Sequence, residues 1–279
     1  DSSTSRGLGD VYKRQVFDIL ARRAPRTAGR TLAAIGADVR DGRRDGVGGL
    51  VEAVESARGS YVAVQGPPGT GKTYVGSRAV KELLDRGWTV GVTAQSHAVV
   101  ENFLDQLIGV GVDPDRVGKE PKDPDGPHRW TSLGSSEVHA FLAPGRVLGG
   151  TAWTFANAAA QPVDLLVVDE AGQLSLAHLL GASALAETVL LLGDPQQLPQ
   201  VSRGEHPQPI GDAALTWIAE GAPVLRAERG FFLDTSWRMH SALTRAVSEL
   251  SYAGRLGARE EVTDARRLDG VEPGLHPWP

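Results

Sequence analysis

The chain has 279 residues, 41% of them hydrophobic and 23% charged, a composition typical of a globular protein with one large or two ordinary domains. It contains no cysteine, which excludes disulfides, thiolate metal ligands and cysteine nucleophiles. Its net charge of −5 argues mildly against a protein that binds nucleic acid over its whole surface. The sequence shows neither a long apolar run nor a signal-peptide pattern, so we expect a cytoplasmic protein.

The first fifteen residues, DSSTSRGLGDVYKRQ, resemble the translated transposon end used in preparing DNA sequencing libraries. We treat residues 1–15 as an adapter artefact and expect no contribution to the fold, the alternative being a natural disordered terminus. Residues 16–48 are rich in Arg, Gly and Ala and show one short helix candidate, VFDILARRA. We predict that they form a linker or the tail of an upstream domain.

From residue 49 the hydrophobic pattern alternates between helices and strands. The predicted elements are helix 49–57, strand 61–65, helix 73–87, strand 89–94, helix 98–111 and strands 146–152, 163–170 and 188–194. Strands that are apolar throughout are typical of a parallel sheet buried on both faces, so we predict an α/β fold with helices on both sides of a mainly parallel sheet. The Pro, Gly and Asp rich stretch 113–137 is predicted to be an exposed loop.

A phosphate-binding loop is predicted from GPPGTGKT at residues 66–73, between a strand and a helix. Its backbone N–H groups and the helix N-terminus would face phosphate oxygens, the alternative being a chance Gly/Pro turn. Lys72 is expected to reach the β- and γ-phosphates, and the Thr73 hydroxyl to bind magnesium. The predicted nucleotide-binding residues are Gly66, Pro67, Pro68, Gly69, Thr70, Gly71, Lys72 and Thr73.

Two further segments follow buried strands at the distance expected for such a site. LLVVDEAGQ supplies Asp169 as a second metal ligand and Glu170 as the candidate base for an attacking water, the alternative being a solvated strand end. LLLGDPQQLPQ (190–200) offers an amide near the γ-phosphate that can sense hydrolysis, the alternative being an ordinary turn.

The motifs GPPGTGKT, VVDEAGQ, GDPQQLPQ and SWRMH, in this order, resemble those of superfamily 1 helicases, in particular the branch of the nonsense-mediated-decay helicase. The resemblance covers about residues 61–256. It implies that two RecA-like domains hold ATP and Mg²⁺ between them, with single-stranded nucleic acid lying across both. It also implies that Gln197 senses the γ-phosphate.

Two segments resemble the nucleic-acid contacts of this family. In TAQSHAVVENFLDQL (93–107) the contacts would be Ser96 and His97, although the family usually has asparagine at position 97 and the histidine is equally well a helix cap. In GGTAWTFAN (149–157) the contact would be Thr151, with Trp153 either a stacking surface or part of the core. Contacts of this kind hold the backbone, so binding should be independent of base sequence.

Arg238 of SWRMH corresponds in the family to the arginine that begins the second RecA-like domain and reaches the γ-phosphate. Its planar, delocalised charge suits a phosphoryl group, the alternative being a helix-start arginine paired with a nearby acid. We therefore predict a first motor domain at 49–232 and the start of a second at 233–279, in a fragment that binds nucleotide but hydrolyses weakly and does not unwind.

A closer resemblance is to the helicase portion of bacterial proteins that fuse a RecB-like nuclease to such a motor, which implies a fused nuclease upstream. The chain itself has no nuclease-like cluster of carboxylates and lysine, and it lacks the family's adenine-binding glutamine before the loop. We predict an ATP-dependent nucleic-acid helicase or translocase, with DNA favoured over RNA. The alternatives are a P-loop switch or regulatory module that does not translocate, and a non-catalytic docking domain.

Overall fold

A computed structural model describes residues 14–123, 126–198 and 209–265. In these ranges the helices are α1 (Arg14–Leu20), α2 (Leu32–Arg40), α3 (Gly46–Ser56), α4 (Lys72–Asp85), α5 (His97–Gly109), α6 (Ala152–Ala156), α7 (Leu176–Ser183), α8 (Ala214–Ala219), α9 (Ser241–Ser251) and α10 (Glu260–Thr263). The strands are β1 (Tyr61–Gln65), β2 (Val90–Thr93), β3 (Val117–Lys119), β4 (Thr131–Ser132), β5 (Val147–Gly150), β6 (Val163–Val168), β7 (Ala186–Gly193), β8 (Gly230–Phe232), β9 (Thr235–Ser236) and β10 (Gly257–Ala258).

Eight of the described strands form one sheet in the order β4-β3-β5-β2-β6-β7-β1-β8, and every neighbouring pair is parallel. The carboxyl ends of the strands therefore share one edge, where ligands of open α/β sheets bind. Thr93 at the end of β2 is in register with Gly150 of β5 on one side and Val168 of β6 on the other.

Alternate residues of each central strand enter two separate cores, one on each face of the sheet. In β1, Val62 and Val64 pack towards α2 to α5, whereas Tyr61 and Ala63 pack towards α1, α6, α7 and α8. Since both faces are covered, the strands are apolar throughout, as their sequences predict. The predicted α/β fold with a mainly parallel sheet is confirmed.

Residues 16–48, predicted to be a linker or the tail of an upstream domain, contain two helices that pack against the sheet. Ile19 of α1 and Ile35 of α2 are fully buried, and they lie in the cores on opposite faces. Thr31 caps α2, since its Oγ1 accepts the Ala34 N–H, and Ser60 Oγ donates to buried Asp18 at 2.8 Å. The few apolar residues of these short helices are scattered among Arg, Gly and Ala. The hydrophobic pattern of the sequence therefore gave no sign that the helices pack against the sheet. The proposed division into domains stays a prediction.

Gln15, at the end of the segment set aside as an adapter artefact, is part of the described structure. Its side chain is fully buried, and Nε2 donates to the carbonyl oxygens of Ser183 and Ala186 at 2.9 and 2.6 Å. This residue therefore does contribute to the fold, contrary to the expectation. Residues 1–13 lie outside the described residues.

The stretch 113–137 is only partly the exposed loop that its composition predicts. β3 and β4 extend the sheet beyond β5, with Val117 fully buried and Trp130 nearly so. Lys119 is 1% exposed, and its Nζ donates to Glu101 Oε1 at 2.9 Å. Strands of two or three residues are too short to show a period, and their pairing with a neighbouring strand decides their conformation.

Residues 233–265, termed here the carboxyl segment, attach to the end of β1. The Leu233 N–H donates to Gln65 O at 2.9 Å, and β9 pairs with β10 within the segment. Tyr252 and Leu256 pack with Val224 in a small third cluster. Among the described helices, none combines the length and apolar character needed to cross a bilayer.

Candidate functional site

The phosphate loop connects the end of β1 to the start of α4, at the carboxyl edge of the sheet. Gly69 and Gly71 have φ values of +81° and +88°, a left-handed conformation that side chains disfavour. Thr70 Oγ1 donates to Pro67 O at 2.8 Å and Lys72 Nζ donates to Gly66 O at 2.7 Å. Lys72 is 8% exposed, and the bond to Gly66 O holds its ammonium against the loop.

The predicted metal ligands lie side by side. Thr73 Oγ1 donates to Asp169 Oδ2 at 3.4 Å, although the two residues are 96 positions apart. Asp169 follows β6 directly, and burial raises its pKa to about 6, with the negative charge of Glu170 adding to the effect. The Glu170 N–H, Lys72 and Thr73 act in the opposite direction. A hydroxyl and a buried carboxylate are hard oxygen donors, which fit Mg²⁺ with phosphate and water as its other ligands.

Glu170 occupies an unusual backbone conformation beside the metal ligands. Its φ is +51°, and its Oε2 is buried without a hydrogen-bond partner within the described part of the chain. The Glu170 N–H donates to Asp169 Oδ1 at 2.9 Å, which helps to hold this turn. Strained residues of this kind are frequent at functional sites.

Gln197 lies on the turn after β7, and the turn is organised by Asp194. The Gln196 N–H donates to Asp194 Oδ1 at 3.1 Å and the Gln197 N–H donates to Asp194 O at 3.3 Å. Asp194 itself is fully buried. Residues 199–208, which include the end of the motif GDPQQLPQ, lie outside the described residues.

Arg238 is placed against the phosphate loop by its backbone. The Trp237 N–H donates to Gly69 O at 2.8 Å. A methyl group added at Gly69 would overlap Arg238 Cβ, so the loop and the carboxyl segment are in direct contact. The structure thus brings together residues that lie more than 160 positions apart in the sequence.

A cavity of about 350 Å³ connects these parts of the site. Among the residues that line it are Lys72, Thr73, Glu170, Gln197 and Arg238. The loop residues Pro68, Gly69 and Gly71 line it as well, whereas Gly66, Pro67 and Thr70 shape the loop from behind. Four of the five predicted catalytic residues therefore line one cavity, and the fifth, Asp169, is hydrogen-bonded to the lining residue Thr73.

Three lining residues were missed by the sequence reasoning, namely Tyr74, Asn102 and Gln106. The guanidinium of Arg78 lies 3.4 Å from the centre of the Tyr74 ring. Asn102 and Gln106 are four residues apart on α5, so they share one face of the helix. That spacing was visible in the sequence, but only the packing of α5 beside α4 shows that the face meets the phosphate loop.

The predicted nucleic-acid contacts cluster at a different part of the same edge. Ser96 and His97 follow β2 and Thr151 follows β5, which is the strand next to β2. The Val99 N–H donates to Ser96 Oγ at 3.3 Å, so Ser96 caps α5 and the interpretation of His97 as the cap is wrong. The Thr151 side chain makes no capping hydrogen bond, although Thr151 is at the N-cap position of α6.

His97 and Trp153 flank this cluster. Burial lowers the pKa of His97, with the positive charge of Lys119 acting in the same direction, and its Nδ1 is buried without a hydrogen-bond partner among the described residues. Trp153 is 74% exposed with its ring edge against His178, which excludes the core alternative for this tryptophan. A stacking role for Trp153 stays a prediction.

The parallel sheet, the phosphate loop after β1 and the buried carboxylate after β6 define a P-loop nucleotide-binding domain of RecA-like fold. A sequence-family profile described as an AAA domain matches residues 49–272, and the chain belongs to this family.

Curated relatives share part of this sequence. The chain is 25% identical over 231 residues to the DNA replication ATP-dependent helicase/nuclease JHS1 of Arabidopsis thaliana, covering 78% of the chain and 17% of the relative. It is 28% identical over 224 residues to the DNA replication ATP-dependent helicase/nuclease DNA2 of Xenopus laevis, covering 74% and 20%. The chain thus spans about a fifth of the length of these relatives, which agree with the superfamily 1 helicase resemblance of the motifs.

Among solved structures, the complex of Arterivirus nonstructural protein 10 (helicase) with DNA matches with a TM-score of 0.47 and 20% identity. The match covers 71% of the chain and 41% of the viral protein.

Proposed function

We propose that the chain is the motor portion of an ATP-dependent helicase or translocase that acts on single-stranded DNA. The observation that carries the proposal is that the phosphate loop, Glu170, Gln197 and Arg238 line one cavity, with Asp169 bonded to Thr73 of that lining. These groups supply phosphate binding, metal binding, water activation and charge stabilisation, which together make up ATP hydrolysis in P-loop enzymes.

Nucleotide binding rests on the loop and its lysine. Backbone N–H groups of the loop and the start of α4 would surround the phosphates, with the Lys72 ammonium between the β- and γ-phosphates. Thr73 and Asp169 would hold Mg²⁺, which neutralises charge on the phosphates when bound. A nearby cation favours the ionised carboxylate and so offsets the burial that raises the pKa of Asp169.

Hydrolysis requires a base, a polar group for orientation and a cation opposite the γ-phosphate. The Glu170 carboxylate, whose Oε2 is buried, would accept the proton of the attacking water, whose oxygen displaces ADP from the γ-phosphorus. Gln197 would orient that water or the γ-phosphate oxygens, and Arg238 would stabilise the charge of the transition state.

Single-strand binding is assigned to the ends of β2 and β5. Ser96 and Thr151 would hold backbone phosphates there, and base sequence would have little influence. DNA is favoured because the relatives' names describe DNA replication helicase/nucleases. A nuclease domain upstream, as in nuclease-fused helicases, belongs to the same proposal.

The test is nucleotide-dependent activity of the full-length protein and nucleotide binding by this chain. Lys72→Ala is expected to weaken Mg·ATP binding about 100-fold and to abolish hydrolysis stimulated by single-stranded DNA, because a charge-assisted phosphate contact is lost. Titration calorimetry and a phosphate-release assay measure the two effects.

Lys81→Ala is the matched control, since Lys81 lies on the same helix but pairs with Asp85 at the surface. This control variant should bind Mg·ATP and hydrolyse it as the unaltered protein does. Unchanged turnover in Lys72→Ala would refute the proposal. Hydrolysis that does not respond to single-stranded DNA would favour the switch or regulatory module instead.

A further inference from the structure

A buried hydrogen bond joins the carboxyl segment to the turn that carries Gln197. Tyr252 Oη donates to Asp194 Oδ2 at 2.6 Å across 58 positions of sequence. Asp194 is fully buried and Tyr252 is 3% exposed, so the bond is shielded from water. Breaking this hydrogen bond is costly, because it leaves Asp194 Oδ2 buried without a donor.

The rest of Asp194 is engaged in shaping the turn. Oδ1 accepts the Gln196 N–H at 3.1 Å and lies 3.5 Å from Gln65 Nε2, while the backbone oxygen accepts the Gln197 N–H at 3.3 Å. A carboxylate that accepts the backbone N–H two positions on forms a turn of its own with the chain, and here the Asp194 backbone oxygen adds a second bond to the same turn. The orientation of Gln197 therefore depends on how Asp194 is held.

The hydroxyl of Tyr252 is a dependable donor to this carboxylate. Burial raises the pKa of Tyr252, and the negative charge and hydrogen bond of Asp194 raise it further. The phenol is thus protonated throughout the neutral range.

The same segment holds Arg238. Trp237, adjacent to Arg238, donates from its backbone to Gly69 O of the phosphate loop at 2.8 Å. Two groups that face the cavity, Gln197 and Arg238, are therefore both attached to residues 233–265, one through Asp194 and one through the chain itself.

We propose that Tyr252 is a positioning residue for Gln197: its hydroxyl holds Asp194, and Asp194 holds the turn so that the Gln197 amide faces the γ-phosphate. This inference rests on the proposed function, since it presumes a nucleoside triphosphate in the cavity. According to this inference, the preference for a nucleoside triphosphate over a diphosphate depends on Tyr252, although Tyr252 contacts neither nucleotide.

The experiment compares the affinities of this chain for ADP and for a non-hydrolysable ATP analogue with an imido β–γ bridge, both with Mg²⁺, by titration calorimetry. In the unaltered chain the analogue should bind more tightly than ADP. Tyr252→Phe should reduce this preference by about five- to tenfold, which is the loss expected for one polar contact, and leave ADP binding unchanged. Gln197→Ala should reduce the preference to a similar extent.

Tyr61→Phe is the matched control, because the Tyr61 hydroxyl is also buried and donates to Arg23 O at 2.8 Å, remote from the loop. It should keep the preference for the analogue. A Tyr252→Phe chain that retains the preference overturns the inference, and so does one that loses affinity for both nucleotides equally, which indicates a purely structural role. If Gln197→Ala keeps the preference, the γ-phosphate sensor of the proposed function fails instead, and the inference falls with it.

Discussion

Glu170 shows how one residue can hold a conformation that its own chemistry disfavours. Its left-handed backbone and its unpartnered buried oxygen both cost free energy. The surrounding contacts maintain the turn: Asp169 Oδ1 accepts the Glu170 N–H, and the Ala171 N–H donates to Leu192 O at 2.8 Å. The sequence identifies Glu170 as an acid after a buried strand, but it carries no sign of this strain.

Relief of that strain should stabilise the fold. Glu170→Asn is expected to raise the free energy of unfolding by about 1 kcal/mol, because asparagine tolerates positive φ better than glutamate does. Urea denaturation followed by circular dichroism measures the change. Glu170→Gln is the control, since it removes the charge and keeps the unfavourable conformation. Equal stabilities of the two variants would contradict the role assigned to the backbone.

At the scale of elements, long periodic segments were predicted well and short ones were not. β1 has the predicted bounds, 61–65, and α4 and α5 begin within one residue of their predicted starts. β3, β4 and β8 were missed because two or three residues contain no period, and only hydrogen bonding to a neighbour makes them strands. The nine-residue helix α2 was missed for another reason, since its few apolar positions lie among Ala, Gly and polar residues and its burial depends on the sheet beneath it.

The packing of α2 can be tested directly. Ile35→Ala should lower the free energy of unfolding by about 2–4 kcal/mol, because it removes a fully buried side chain and leaves a cavity. Thermal or urea unfolding measures the loss. Arg40→Ala, at the exposed end of the same helix, should change stability by no more than about 0.5 kcal/mol. A linker would show no effect of either substitution.

At the scale of the molecule, the carboxyl edge of a single sheet carries both proposed sites. β1, β6 and β7 present the nucleotide cavity, and β2 and β5 present the proposed single-strand contacts. Because β2 and β6 are neighbours, the two sites adjoin without overlapping. The net charge of −5 does not oppose this arrangement, since backbone phosphates need only a local set of donors.

The separation of the two sites predicts that one can be damaged alone. Trp153→Ala should weaken the binding of a labelled oligothymidine by about 5- to 150-fold, the range for loss of one stacking platform, with nucleotide affinity unchanged. Fluorescence anisotropy measures the affinity for the oligonucleotide, and titration calorimetry measures the affinity for the nucleotide. Trp237→Ala is the control, because Trp237 is also exposed but lies in the carboxyl segment beside Arg259. Undiminished oligonucleotide binding by Trp153→Ala would exclude stacking at this position.

The local pattern of the chain was enough to predict the phosphate loop, its flanking strand and helix, and the acidic pair after β6, because each depends on neighbours within a few residues. Tertiary structure alone decided the contact of Arg238 with Gly69, the bond between Tyr252 and Asp194, and the packing of residues 16–48. These features join positions far apart in the sequence, and they are held by burial and by long-range hydrogen bonds, neither of which local propensity encodes.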